Sequence, residues 1–145
     1  MSIRELLPAA PVADAAHADA LLEIAFLMTA VDGRLEEREL AAFREIAARV
    51  QGRAAAEVDP QAVAARFAVS TEPGAIAARV RVLGPTLPAP LREKAFQLAI
   101  GLALVDDDAS PLEDELMGVL FEALGLDGAR AEALAAEARA ALARP

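Results

Sequence analysis

Two stretches of this chain are apolar on nearly every side of a helix, and both run into acid. LLEIAFLMTAV, from Leu21 to Val31, meets Asp32-Gly33; AFQLAIGLALV, from Ala95 to Val105, meets Asp106-Asp107-Asp108. A helix without a polar face has to be surrounded by other elements. Two of them in one small chain constrain the fold to an all-α bundle with both helices at its centre. A shift of 74 residues lays one stretch on the other without a gap. Ala25 falls on Ala99, Val31 on Val105, Asp32 on Asp106 and Glu39 on Glu113; Ile24 pairs with Leu98, Met28 with Leu102 and Ile46 with Leu120. The pattern predicts two helix–acidic turn–helix halves, about 14–51 and 88–125, related by an approximate two-fold axis.

Around these halves the turn chemistry predicts seven helices. Residues 1–13 form an N-terminal extension, an apolar cluster of Ile3, Leu6 and Leu7 and then a PAAPVA linker. The first helix starts at an Asp14 cap and breaks at Asp32-Gly33. The second, from about Glu36 to Val50, carries Leu40, Phe43, Ile46, Ala47 and Val50 on one face. Asp59-Pro60 opens a short third helix with Val63 and Phe67 as its buried pair. The fourth begins near Thr71 or Glu72 with Pro73 in its first turn, and GPTLPAP is a stiff connector after it. The fifth spans about Ala89 to Val105. Ser110-Pro111-Leu112-Glu113 has the order of a capping box for the sixth. Leu116, Val119, Leu120 and Leu124 form that helix's apolar face and Gly125 ends it, and Asp127 caps an alanine-rich seventh. No segment has strand alternation with hairpin turn signals.

The chain has 145 residues, enough for one domain with its own core. It has no cysteine, which removes disulfides, thiol catalysis and zinc–thiolate sites. Acidic residues outnumber basic ones 23 to 14, for a net charge of −9. Such a chain repels phosphate backbones, so nucleic acid is not an expected partner, and cations or a basic protein surface are. MSIRELLPAAP lacks the pattern of a secretory signal, and Ala95–Val105 is far short of the roughly 20 residues of a bilayer span. The expectation is a cytoplasmic protein without direct membrane insertion.

The segment AFLMTAVDGRLEERELAAFREIA resembles the helix–Asp-Gly–helix signature of the TerB-like family, which includes tellurite-resistance proteins and a domain of some J-domain co-chaperones. LAIGLALVDDDASPLEDELMGVLFEALGLD resembles the second copy of that unit, so the likeness spans roughly Ala15 to Asp127. The resemblance implies an all-helical bundle, a bacterial stress or tellurite-resistance setting, and a divalent-metal role for the acidic turns. By position Asp32 and Glu39 match the acids of the first motif, and Asp106 and Glu113 those of the second. Val31 stands where alanine is common, and Asp107 replaces the glycine of the second turn.

The residues themselves leave two readings of the acids open. From Ala95 to Ala129 there is no lysine or arginine, while Asp106, Asp107, Asp108, Glu113, Asp114, Glu115, Glu122 and Asp127 all fall within that stretch. Carboxylate oxygens without sulfur or imidazole suit Ca²⁺, Mg²⁺ or Mn²⁺. Acids also belong near helix N-termini for the backbone dipole alone, and Glu113 can serve the Ser110 capping box. An EF-hand is excluded: counted from Asp106, the glycine position holds Pro111 and the final glutamate position holds Met117. His17, the single histidine, has no serine–acid pair in sequence, and there is no phosphate-binding glycine loop. The expected function is therefore non-enzymatic. It is either a TerB-like stress protein whose Asp32, Glu39, Asp106 and Glu113, with Asp107 and Asp108 adjoining, take a divalent cation, or a metal-free helical adaptor docking a basic protein partner.

Overall fold

The computed structural model describes residues 3–30, 37–67, 74–105 and 111–143. Among them are seven α-helices and no strand: α1 (Ala15–Ala30), α2 (Glu37–Gln51), α3 (Pro60–Ala65), α4 (Ala75–Leu83), α5 (Ala89–Val105), α6 (Pro111–Leu124) and α7 (Gly128–Ala143). Single 3-10 turns occupy Ile3–Leu6, Ala55–Glu57 and Gly84–Thr86.

Three of the caps are those the sequence predicts. The Asp14 carboxylate accepts the His17 amide at 3.1 Å, Asp59 accepts the Gln61 amide at 3.0 Å, and Asp127 accepts the Arg130 amide at 3.3 Å. Each satisfies an amide that the first helical turn leaves without a partner. Gly125 ends α6 with φ at 65°, a left-handed conformation that glycine adopts without steric cost. The expected start of the fourth helix, at Thr71 or Glu72 with Pro73, lies outside the described residues. Gly74 sits at φ 83°, so no helix runs through it, and α4 begins at Ala75.

Helices α1 and α5 are the centre, as their all-round apolarity requires. Leu21, Leu22, Ile24, Ala25, Leu27 and Met28 are buried on α1, and Ala95, Phe96, Leu98, Ala99, Ile100 and Leu102 on α5. The two pack on each other; α2 lies against both, α6 packs on α4 and α5, and α7 lies along α5. Phe26 bridges α1 to its neighbours, with ring centroids 6.1 Å from Phe43 and 6.3 Å from Phe67.

The N-terminal extension belongs to this core. Ile3, Leu6 and Leu7 are buried, and the Ile3–Leu6 turn rests on α5, α2 and α7. The linker between that turn and α1 is strapped to α2: the Val12 amide donates to the Val50 carbonyl at 3.0 Å and Arg49 Nη1 to the Pro8 carbonyl at 2.8 Å. The proline-rich connector before α5 is held by Arg92, which donates to the Leu87 carbonyl at 2.6 Å and the Pro85 carbonyl at 2.9 Å.

Candidate functional site

Helix α2 buries Phe43, Ile46, Ala47 and Val50 as expected and departs from its expected face only at its start, where Leu40 is half-buried and Glu39, with Ala42, faces the core. Counting back from Phe43, both i−3 and i−4 lie on the inner face. Apolarity favours Leu40, but the packing of α2 against α1 and α3 turns Glu39 inward. Its side chain retains 2 % of its exposure, in the first turn of α2, where the backbone dipole favours a negative charge.

Glu39 is the one predicted ligand whose side chain the structure describes. Asp32, Asp106, Asp107 and Asp108 lie outside the described residues, as does the Ser110 cap, and the side chain of Glu113 on α6 lies outside them too. Among the described residues, no three acidic or imidazole side chains converge as a ligand set. Asp114, Glu115 and Glu122 are exposed on α6. His17, the single histidine, is half-buried at the start of α1. Thus, of the predicted ligands, the structure describes one buried carboxylate, in the first turn of α2. That carboxylate is an oxygen donor of the kind hard cations take.

Two polar clusters that sequence reading did not anticipate lie deeper. Glu23, 7 % exposed on α1, is held in a two-pronged ion pair by Arg79 of α4, with Nη2 to Oε1 at 2.9 Å and Nε on Oε2. The guanidinium of Arg79 is raised above its ordinary basicity by that hydrogen bond. Gln97, 7 % exposed on α5, donates to Glu137 at 2.9 Å and to the Leu134 carbonyl at 3.4 Å, both on α7. Lys94 donates to Gln97 at 3.3 Å, and burial lowers its pKa, with Glu137 opposing. The signal was present: Gln97 stands 74 residues after Glu23, the same repeat position on each central helix. Both clusters bind helix to helix, and their hydrogen bonds are spent within the fold.

A shallow groove of about 680 Å³ opens between α2 and α3, lined by Arg38, Leu40, Ala41 and Arg44 on one side and Asp59, Pro60 and Gln61 on the other. Its walls mix both signs of charge and carry no nucleophile–base pair.

Compared with protein-family models, with curated proteins and with solved structures, the chain has no significant match in any of the three. The functional reading rests on the chain's own motifs and geometry.

Proposed function

We propose that this chain is a non-catalytic helical protein of the TerB-like type whose acidic turns bind a divalent cation. Asp32 and Glu39 would serve as ligands in the first half and Asp106 and Glu113 in the second. The observation that carries the reading is the burial of Glu39. A carboxylate withdrawn from water in the first turn of α2, seven residues after Asp32, can present its oxygens to an ion at the α1–α2 turn. Carbonyls at the end of the preceding helix, which lack helical donors, supply further oxygens of the same kind. The N-terminal dipole of α2 opposes a cation, so binding is weak to moderate and needs several oxygens. A bacterial stress-response setting and a cytoplasmic location are part of the same proposal, through the family resemblance.

Titration calorimetry of chelator-treated protein with Ca²⁺, Mg²⁺ and Mn²⁺ tests it. We expect heat and thermal stabilisation with at least one ion, lost as pH falls toward about 4 where carboxylates protonate. The Asp32→Asn, Asp106→Asn double variant should lose both signals and keep its helicity. No heat and no stabilisation with any of the three ions would overturn the cation reading and leave the metal-free adaptor.

A further inference from the structure

A second, smaller cavity lies between the end of α2 and the linker that follows the Ile3–Leu6 turn. It measures about 270 Å³, room for about nine waters at roughly 30 Å³ each. Leu7, Pro11, Ala48 and Ala55 give it apolar walls, and Arg49 and Arg53 line it beside Glu45. The α2–α3 groove sets Glu37 and Asp59 against Arg38 and Arg44, so its charges balance. In the smaller cavity they do not. The carboxylate of Glu45 is already answered by Arg4, whose Nη2 donates to it at 2.9 Å. Neither Arg49 nor Arg53 forms an ion pair among the described residues. Two guanidinium charges therefore face this cavity without a carboxylate to match them.

Both guanidiniums are anchored by neutral oxygens. Arg49 Nη1 donates to the Pro8 carbonyl at 2.8 Å. Arg53 Nη2 donates to the backbone carbonyl of Glu57 at 2.7 Å, and its Nη1 to Gln51 Oε1 at 3.4 Å. Each fork keeps further N–H donors, and the anchors hold it in place before a ligand arrives, which lowers the entropic cost of binding. The last carbonyls of α2 would repel an anion, but they are taken up: Ala48 by the Arg53 amide at 2.9 Å, Arg49 by the Gly52 amide at 3.3 Å and Val50 by the Val12 amide at 3.0 Å. The net charge of −9 is carried largely at longer range, and acids farther than about 8 Å are screened at physiological salt.

We infer that this cavity binds a small organic carboxylate, with its carboxylate between Arg49 and Arg53 and a short apolar body against Leu7, Pro11 and Ala55. A guanidinium fork matches the paired oxygens of a carboxylate. The apolar walls favour an anion with a carbon body over a bare inorganic one, and the volume limits that body to a few carbons. The inference does not depend on cation binding by the acidic turns, which calls for a ligand of the opposite sign.

The test titrates isovalerate, its neutral amide isovaleramide and inorganic phosphate separately into the ¹⁵N-labelled full chain and follows the backbone amides by NMR. Isovalerate should shift the Gly52, Arg53 and Ala55 amides saturably, isovaleramide should not, and phosphate should bind more weakly than isovalerate. Arg53→Gln should weaken isovalerate binding by roughly tenfold, the scale of a hydrogen bond to a charged group. Ala55→Leu keeps both arginines and fills the cavity; it should abolish binding, and it decides the matter should Arg53→Gln fold poorly. Arg44→Gln, in the α2–α3 groove, should leave the affinity unchanged. No saturable shift with isovalerate would overturn the inference, as would undiminished binding in Ala55→Leu or an equal loss in Arg44→Gln. Equal binding of isovaleramide would overturn it in favour of a merely apolar crevice, and phosphate binding as tight as isovalerate in favour of a bare oxyanion site.

Discussion

Glu23 and Gln97 show what a single polar residue does in an otherwise apolar helix. Each interrupts a central helix at the same repeat position, and each reaches a different outer helix, α4 through Arg79 and α7 through Glu137. Buried polar groups are costly unless bonded, so these pairings fix which helix lies where. Lys94, beside Gln97, gives this scale a sharp test. It is the chain's single lysine, and the chain has no tyrosine and no cysteine, so no other side chain titrates between about pH 8 and pH 11. Burial lowers its pKa in the folded state. Between the folded and unfolded values the unfolded chain holds the proton and the folded chain does not, so stability rises with pH in that window. Urea midpoints across the window should increase for the wild type and stay flat for Lys94→Met. A flat wild-type profile would show that the ammonium is solvated in the folded protein.

One close approach between helical segments in this fold depends on a glycine. Gly84, at the end of α4, lies against Ala123 of α6, and its missing Cβ is the space that the Ala123 backbone occupies. Gly84→Ala should cost about 2 kcal/mol, within the range for overpacking, because a backbone cannot move aside as a side-chain end can. Gly118→Ala should instead gain up to about 1 kcal/mol from helix propensity, since nothing obstructs the added methyl. Chemical denaturation of both variants checks the opposite signs, and a loss at Gly118 would mean that α6 is packed on both sides. Helix boundaries were largely legible at this scale, because caps such as Asp14, Asp59 and Asp127 act through bonds two or three residues away. The start of α4 at Ala75 was not, because it follows a left-handed Gly74 rather than an acidic cap.

For the whole molecule, one core gathers side chains from every helix and from the N-terminal turn. The unbalanced charge surrounds that core. A net −9 opposes compaction through mutual repulsion, and salt screens it. Raising NaCl from roughly 10 mM to 150 mM shortens the screening length from about 30 Å to about 8 Å. The melting temperature should rise by a few degrees in wild type, and by somewhat less in Asp32→Asn, Asp106→Asn, which carries two fewer negative charges, with chelator present. A fall with salt would mean that ion pairs such as Arg66–Asp19 and Arg130–Glu93 outweigh the repulsion. Divalent ions at matched ionic strength should add stabilisation in the wild type only, which separates binding from screening.

Sequence by itself determined the helical class, the central pair and the caps at Asp14, Asp59 and Asp127. All three depend on local periodicity or on bonds within one turn. It also located the acids of the candidate cation site, since resemblance and charge are both properties of the linear chain. Only the tertiary structure decided how the first turn of α2 faces, placing Glu39 rather than Leu40 in the core. It alone drew the N-terminal turn into contact with α5, and paired Glu23 with Arg79 across 56 residues. It alone separated Gly118, open above α6, from Gly84 and Gly101, which are closed by their neighbours. Periodicity gives the direction of a helix face to within a residue. Contacts between elements depend on how whole faces fit, and no local pattern records that.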